Sequence, residues 1–464
     1  MISRFGLAGG IGLTNFKAFG ATVPPATNPP ANTVAPAVTP TSNIFANTLL
    51  TCTTGTWTNT PLSYSYSWYA DGNLVQSGSG NTYTPTGQAG KVIYCEVGAT
   101  NADGTGSANS NSVSVAAIPL NSVLPVITAA DPLRTGMTIT CSTGTWSGSP
   151  SGYTYQWYAD GVLIGSATAN SYVTIAAHIG KYYTCAVNAS NGSGSGTAVT
   201  TLPTTRLLFS VTDEPSLIHH WKSTVASSIT ATGAAVSQWN DIKGTSHVLQ
   251  ATGANQPTLV AEATLGNKNI VRFDGVSDFL RNVTALIYTG DAYTVIALGA
   301  ARSGGFSAGR LISMTDGATA DGAASSQNSA IWYRNGVAQS YRCSVGGTAH
   351  ASSQPMVYGE FNIFEHLKDA AGFDMAINDI EPLKNMAKVV TVNFQSVAFG
   401  GGISGVSSMN GALYSDSDLG EVAVFNKYLT QAERNKIVGA MAWDWHSSLV
   451  TKLDAGHPYK SAPP

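Results

Sequence analysis

Three acids in one short stretch, Asp416, Asp418 and Glu421 in DSDLGE, are the first residues with chemistry in them. Carboxylates on one side of a strand can divide the work at a glycosidic bond between nucleophile and acid/base. A spacing of 0, 2 and 5 fits that badly, because strand side chains alternate and Gly420 falls where the alternation must hold. His219 and His220 are the only adjacent histidines. On a strand they face opposite ways, so a shared metal ion is disfavoured. A calcium ion would draw on Asp274, Asp278 and Asn410, oxygen donors from separate segments. Trp332, Tyr333 and Tyr341 offer flat rings on which a sugar could stack. AIWYRNGV also reads as an ordinary strand entering a hairpin turn at Asn335-Gly336. There is no Gly-rich phosphate loop, no His-Glu-x-x-His zinc motif and no Cys/His nucleophile pair. The expectation is a protein that is not an enzyme and holds no cofactor.

The elements that must position these residues are strands. Only 11% of the 464 residues are Asp, Glu, Lys or Arg, against roughly 25% in ordinary soluble proteins. Gly, Ser, Thr, Asn and Ala fill the gap, which disfavours charged helical surfaces. The net charge of -3, with no Lys/Arg run, builds no field for a phosphate backbone, so nucleic acid is excluded as a partner. No apolar run is long enough to span a membrane. Residues 1–23 resemble a secretion signal poorly and read as an attachment segment. Residues 24–36, rich in proline, read as a stiff linker.

A duplication follows. Cys52, Trp57, Trp68, Tyr69, Asp71 and Gly72 recur 89 positions later as Cys141, Trp146, Trp157, Tyr158, Asp160 and Gly161. After one inserted residue, Gly90, Lys91, Cys95 and Asn101 match Gly180, Lys181, Cys185 and Asn191. Two domains are expected, 37–117 and 118–205. Tyr64, Tyr66 and Trp68 alternate with serines, the period of a half-buried strand, and Asp-Gly then supplies a tight turn. An inward Cys, a Trp and a second inward Cys, with GTW, YxWYxDG and GKxxxC in order, resemble the immunoglobulin-like sandwich of bacterial surface and tailed-phage proteins. The resemblance implies Trp68 and Trp157 in the cores, and disulfides Cys52–Cys95 and Cys141–Cys185. Each would close a loop of 43 or 44 residues and stabilise by roughly 4 kcal/mol. Buried free thiols are the alternative. Cys343 is left over.

From Arg206 the repeat stops. Strands are expected at 269–275, 293–301, 310–314, 329–336, 389–401 and 419–426, and then one helix. Thr430 and Glu433 form a capping box, and Ile437, Val438, Met441, Ala442 and Trp445 form its apolar stripe. HHWK, WNDIKG, QPTL, VRFDGVSDFL and the helix segment resemble the concanavalin A-like (laminin G-like) jelly roll, over 206–450, with 451–464 as a tail. The fold class is therefore all-β: two tandem Ig-like sandwiches, then a jelly-roll sandwich closed by a helix. That order resembles a phage virion surface protein, a head decoration or head fibre ahead of a tail fibre. Residues 1–23 would dock on a major capsid or tail protein, and the last domain would meet a host-surface glycan or protein, with homo-oligomers allowed. Two alternatives stand beside it, a secreted or cell-surface bacterial adhesin or lectin, and a polysaccharide hydrolase.

Overall fold

Alternating aromatics and serines build the strand Ser63–Ala70, with Tyr66, Trp68 and Ala70 buried. It lies between Val92–Asn101 and Asn73–Gly78, and Trp68 stands directly opposite Cys95. Antiparallel partners share a face, so both side chains enter the same core. Asp71 and Gly72 have φ of +46° and +81°, the left-handed pair a two-residue hairpin turn requires. Asp160 and Gly161 repeat it at +47° and +76°.

The computed structural model describes residues 28–282, 288–302, 309–315, 329–334, 340–345, 348–355, 357–380, 392–394, 396–403, 409–410 and 414–464. The attachment segment 1–23 and the Asn335-Gly336 turn lie outside these. The chain divides into one unit of residues 1–128, 140–170 and 184–202, and another of 129–139, 171–183 and 203–464.

In the first unit, a second layer of Val38–Thr39, Leu50–Cys52 and Thr82–Tyr83 closes the first sandwich. Val38, Leu50, Trp68, Ile93 and Val97 fill its core. The second repeat builds a sheet in the same way from Gly152–Ala159 and Tyr183–Asn191, again with a fully buried Trp157. The four cysteines are buried free thiols brought together in the two expected pairs, each pair hydrogen-bonded. The neighbouring sulfur, then burial, pushes the Cys95 and Cys185 thiols up.

The duplication also reaches upstream of residue 37. Asn32–Val34 pairs with Thr56–Trp57, and Asn121–Val123 with Thr145–Trp146. This accounts for the GTW motif. Gly55 and Gly144 sit at φ +72° and +71°, where a Cβ would lie 2.4 Å from the carbonyl oxygen of Val34 or Val123. Trp57 and Trp146 each return an indole N–H to a carbonyl three residues back, at 2.7 Å.

In the second unit, 16 strands run as one continuous hydrogen-bonded sheet. One half is built on Asp416–Phe425, flanked by Tyr293–Ala301 on one side and by Leu217–Lys222 and Lys268–Asp274 on the other. The other half runs Val248–Leu249, Leu280–Arg281, Ser396–Phe399, Gly309–Thr315, Ser329–Arg334, Ser340–Val345 and Thr348–Pro355. The halves share a core in which Phe399 meets Trp221 and Trp239 edge-on, at 5.2 and 5.5 Å. A second core lies where the helix Gln431–Trp445 packs on the Asp416 half through Ile437, Val438, Met441, Ala442 and Trp445. The Thr430–Glu433 capping box is formed on both sides. A further short helix, Ser447–Lys452, runs into the tail. Among the described residues no helix is long and apolar enough to cross a membrane.

Candidate functional site

The acid row behaves differently from its spacing. Opposite Leu298 and Gly299 the register slips between Glu421 and Leu419, which leaves Gly420 in a bulge. A bulge resets the alternation, so Asp416, Asp418 and Glu421 share the helix-side face with Ala423 and Phe425. Leu419, Val422 and Val424 point into the core between the halves. Gly420 is needed there, because a Cβ would come within 2.6 Å of the Trp445 ring.

Each acid is held by cations. Arg272 grips Asp418 through both oxygens, at 2.8 and 2.9 Å, and also reaches Glu262 at 2.9 Å. Arg302 pairs with Asp416 at 3.0 Å. Glu421 takes His220 at 2.7 Å, Lys222 at 3.2 Å and the Trp445 indole at 2.5 Å. Burial alone would raise the Glu421 carboxyl, but Lys222 and His220 outweigh it and hold it at about 2. Burial wins at Asp418, which lies above the usual carboxylate range despite Arg272. One acid pushed up and one down is the split that acid/base chemistry uses. Here Asp418 is 3% exposed and Glu421 0%; Glu421 ties sheet to helix through Trp445, while Asp418 ties neighbouring strands through Arg272.

The two histidines do face apart. His219 meets Asp241 at 2.6 Å while His220 takes Glu421. Burial would raise Asp241, yet His219 and backbone N–H groups hold it at about 2. Among the described residues no His/Cys/Asp/Glu cluster suited to a metal forms. Asn410 pairs with Gly402 in a short ladder. Asp274 spends one oxygen on the N–H groups of Val276, Ser277 and Asp278, at 2.8, 2.8 and 2.9 Å.

A different group is partly open to solvent. In the loop after Lys268–Asp274, burial and the Asp274 charge push the Asp278 carboxyl up to about 6. Phe279 stacks on Tyr414 with centroids 6.1 Å apart and rings 21° from parallel. The Arg281 guanidinium lies 5.9 Å from the Phe279 centroid, and all three are half-buried. Burial lowers the Arg281 pKa, against which Tyr414 acts. Next to Leu249, the register partner of Arg281, stands Gln250. Its oxygen accepts from Thr252 N at 2.9 Å, while its buried Nε2 has no hydrogen-bond partner among the described residues.

The sequence did not single out this group for function. Phe279 and Arg281 lie in or beside VRFDGVSDFL, which spoke only for the fold, and Tyr414 is far away in the chain. Of the expected sugar contacts, Tyr333 stands opposite Tyr341 and Trp332 opposite Arg342.

No family model and no curated protein matches the sequence. Solved structures with a similar course include a sialidase of Trypanosoma rangeli, 10% identical with a TM-score of 0.35, over 74% of this chain and 65% of that one. The chain thus spans just under two thirds of that sialidase. Domain 4 of a GH43 extracellular arabinanase from Geobacillus stearothermophilus, solved with arabinotriose, is 12% identical with a TM-score of 0.32, over 47% and 96%. A GH54 α-L-arabinofuranosidase is 12% identical with a TM-score of 0.36, over 48% and 62%. These neighbours overturn the expectation that the chain is not an enzyme, since all three come from enzymes acting on carbohydrate. At such TM-scores they assign no reaction to it either.

Proposed function

We propose that the third domain binds carbohydrate at the face formed by Phe279, Tyr414 and Arg281, and that the Ig-like pair displays it as an extracellular adhesin or lectin. The observation that carries this is the half-exposed aromatic pair with a guanidinium over one ring. Sugar rings present apolar C–H faces to aromatic planes, and planar donors beside them fix hydroxyl and carboxyl oxygens. That sialidases and arabinan-directed enzymes are among the similar structures accords with the reading without carrying it. The finer placement on a virion rests on module order and residues 1–23, and the architecture adds nothing to it.

The test is binding of the full chain to a panel of bacterial and plant polysaccharides, with released reducing ends followed in the same samples. Phe279→Ala and Tyr414→Ala should each weaken binding on the order of tenfold, the worth of one good stacking contact, with melting unchanged. Binding that survives both substitutions ends the proposal. Release of product, lost on Asp418→Asn or Glu421→Gln, would add a hydrolytic step.

An extracellular setting carries a second expectation, that both cysteine pairs oxidise. Alkylation of the denatured, unreduced chain should then label Cys343 alone. Labelling of all five cysteines would place the protein in a reducing compartment.

A further inference from the structure

The two Ig-like copies agree at an asparagine and part company at the two residues after it. Asn101 and Asn191 each clamp the chain that enters their own repeat. Asn191 donates from Nδ2 to the Ala117 carbonyl at 2.7 Å, and Asn101 to that of Asn28 at 3.0 Å. The next two positions are Ala102 and Asp103 in the first copy, both exposed. In the second they are Gly192 and Ser193, both half-buried.

What covers Gly192 and Ser193 is a turn of the first repeat, residues 45–48. The turn closes on itself, Phe45 N donating to Thr48 Oγ1 at 2.9 Å and Thr48 N to Phe45 O at 3.0 Å. Ala46 N donates to Ser193 Oγ at 3.0 Å, and that hydroxyl donates on to Ala116 O at 2.6 Å. Ala116 N returns to Ile44 O at 2.7 Å. One serine thus ties the turn, the linker and the second repeat together. Gly192 is there because of close approach, since a Cβ would lie 2.7 Å from Phe45 Cβ and 2.6 Å from Asn47 Oδ1. Domains on one chain move relative to each other unless an interface holds them. Here the linker carbonyls of Ala116 and Ala117 are both bonded by side chains of the repeat that follows.

We infer that the turn 45–48 and the Gly192-Ser193 corner form a joint that holds the two Ig-like repeats as one stiff spacer, an inference that stands apart from the carbohydrate reading. The same turn is addressed to a different neighbour in the second copy. At the equivalent positions, 89 further on, Met137 N donates to Arg134 O at 3.4 Å and Leu208 N to Leu133 O at 2.9 Å, as Thr48 and Ala116 do in the first. There Arg134 stands in place of Phe45. It gives its guanidinium to the Phe209 carbonyl and the Asp444 carboxylate of the third domain. A phenylalanine packed over a glycine suits one neighbour and a cation facing a carboxylate suits the other. The first residue of the turn selects what it docks on.

The experiment measures amide residual dipolar couplings and hydrogen exchange in the full chain. Amides of Ser63–Ala70 and Gly152–Ala159 should fit one alignment tensor of one magnitude, and the Ala46 amide should exchange slowly. Ser193→Ala and Gly192→Val should each separate the two tensors and speed Ala46 exchange on the order of tenfold, while both strands keep their chemical shifts. Ala102→Val, the same bulk at the equivalent exposed corner, should alter neither reading. If Gly192→Val unfolds its repeat, Ser193→Ala decides alone, since it adds no bulk. Two tensors of different magnitude in the unaltered chain overturn the joint. So does one shared tensor that survives both substitutions. An effect of Ala102→Val equal to that of Gly192→Val overturns it too, by placing the cause within a single repeat.

Discussion

The third domain sets charge in two different places, the acid row of Asp416–Phe425 and the rim at Phe279, Arg281 and Tyr414. On the helix-covered face, Asp416, Asp418 and Glu421 each meet a Lys or Arg, at 3.0, 2.8 and 3.2 Å, and the last two are removed from solvent. At the rim, the Arg281 guanidinium lies instead 5.9 Å from the centroid of the half-buried Phe279 ring. Balanced charge under a helix fixes the helix in place. A guanidinium beside half-exposed rings instead keeps hydrogen-bond donors and a flat apolar surface together. The acid row, the motif most like an active site in the sequence, is therefore the structural side of the molecule. The proposed ligand side is carried by Phe279, Arg281 and Tyr414.

The contrast breaks most visibly at Glu421. Glu421→Gln leaves Lys222 and the His220–Asp241 neighbourhood without the anion that sets the local field. Removing one partner of a buried ion pair typically costs about 3–5 kcal/mol. Lys222 keeps Asp444 at 3.0 Å, so the lower end of that range is expected, read as a fall in chemical-denaturation midpoint at pH 7. The sign against pH follows from the direction of the shift. The Glu421 carboxyl is lowered from 4.5 to about 2, so its contribution is full above the unfolded value and disappears as pH falls toward the folded one. Wild type and variant should converge near pH 2. A loss below about 1 kcal/mol, the range of a surface pair, would mean that the helix face is not held by charge.

The sandwiches were legible because period-two strands, the Asp-Gly turns and the Cys–Trp–Cys order are local signals, and each local signal agrees with the fold. Trp68 and Trp157 landed in the cores for that reason. The capping box at Thr430 was legible on the same grounds. The acid row was misjudged because a bulge at Gly420 is invisible in spacing alone: it takes Trp445, 25 positions on, to require a glycine there. The aromatic rim was beyond reach for a stronger reason. Phe279 and Tyr414 are far apart in the chain and stack only once the fold brings them together. The upstream start of the first sandwich was hidden by proline, since ANTVAPAV reads as spacer until Val34 is seen against Gly55.

The smallest effect sharpens the comparison at the rim beside Phe279. Asp278 is an acid whose native carboxyl is raised from 3.8 to about 6, first by burial and then by Asp274. A raised acid stabilises the fold while protonated, and that contribution is lost as pH rises through the folded value. At pH 7.5 the native state therefore carries an ionised Asp278 at a cost, which Asp278→Asn removes. The amide oxygen can still accept from Asp274 N, as the carboxylate does at 3.1 Å. The variant should be more stable than wild type by about 1 kcal/mol at pH 7.5 and equal to it near pH 4. Polysaccharide affinity at pH 7.5 should shift slightly as well, because one charge has left the rim. Stabilisation without any change in binding would detach Asp278 from the site and confine recognition to Phe279, Tyr414 and Arg281. Destabilisation at every pH would show that the carboxylate, charged or not, is needed to shape the loop.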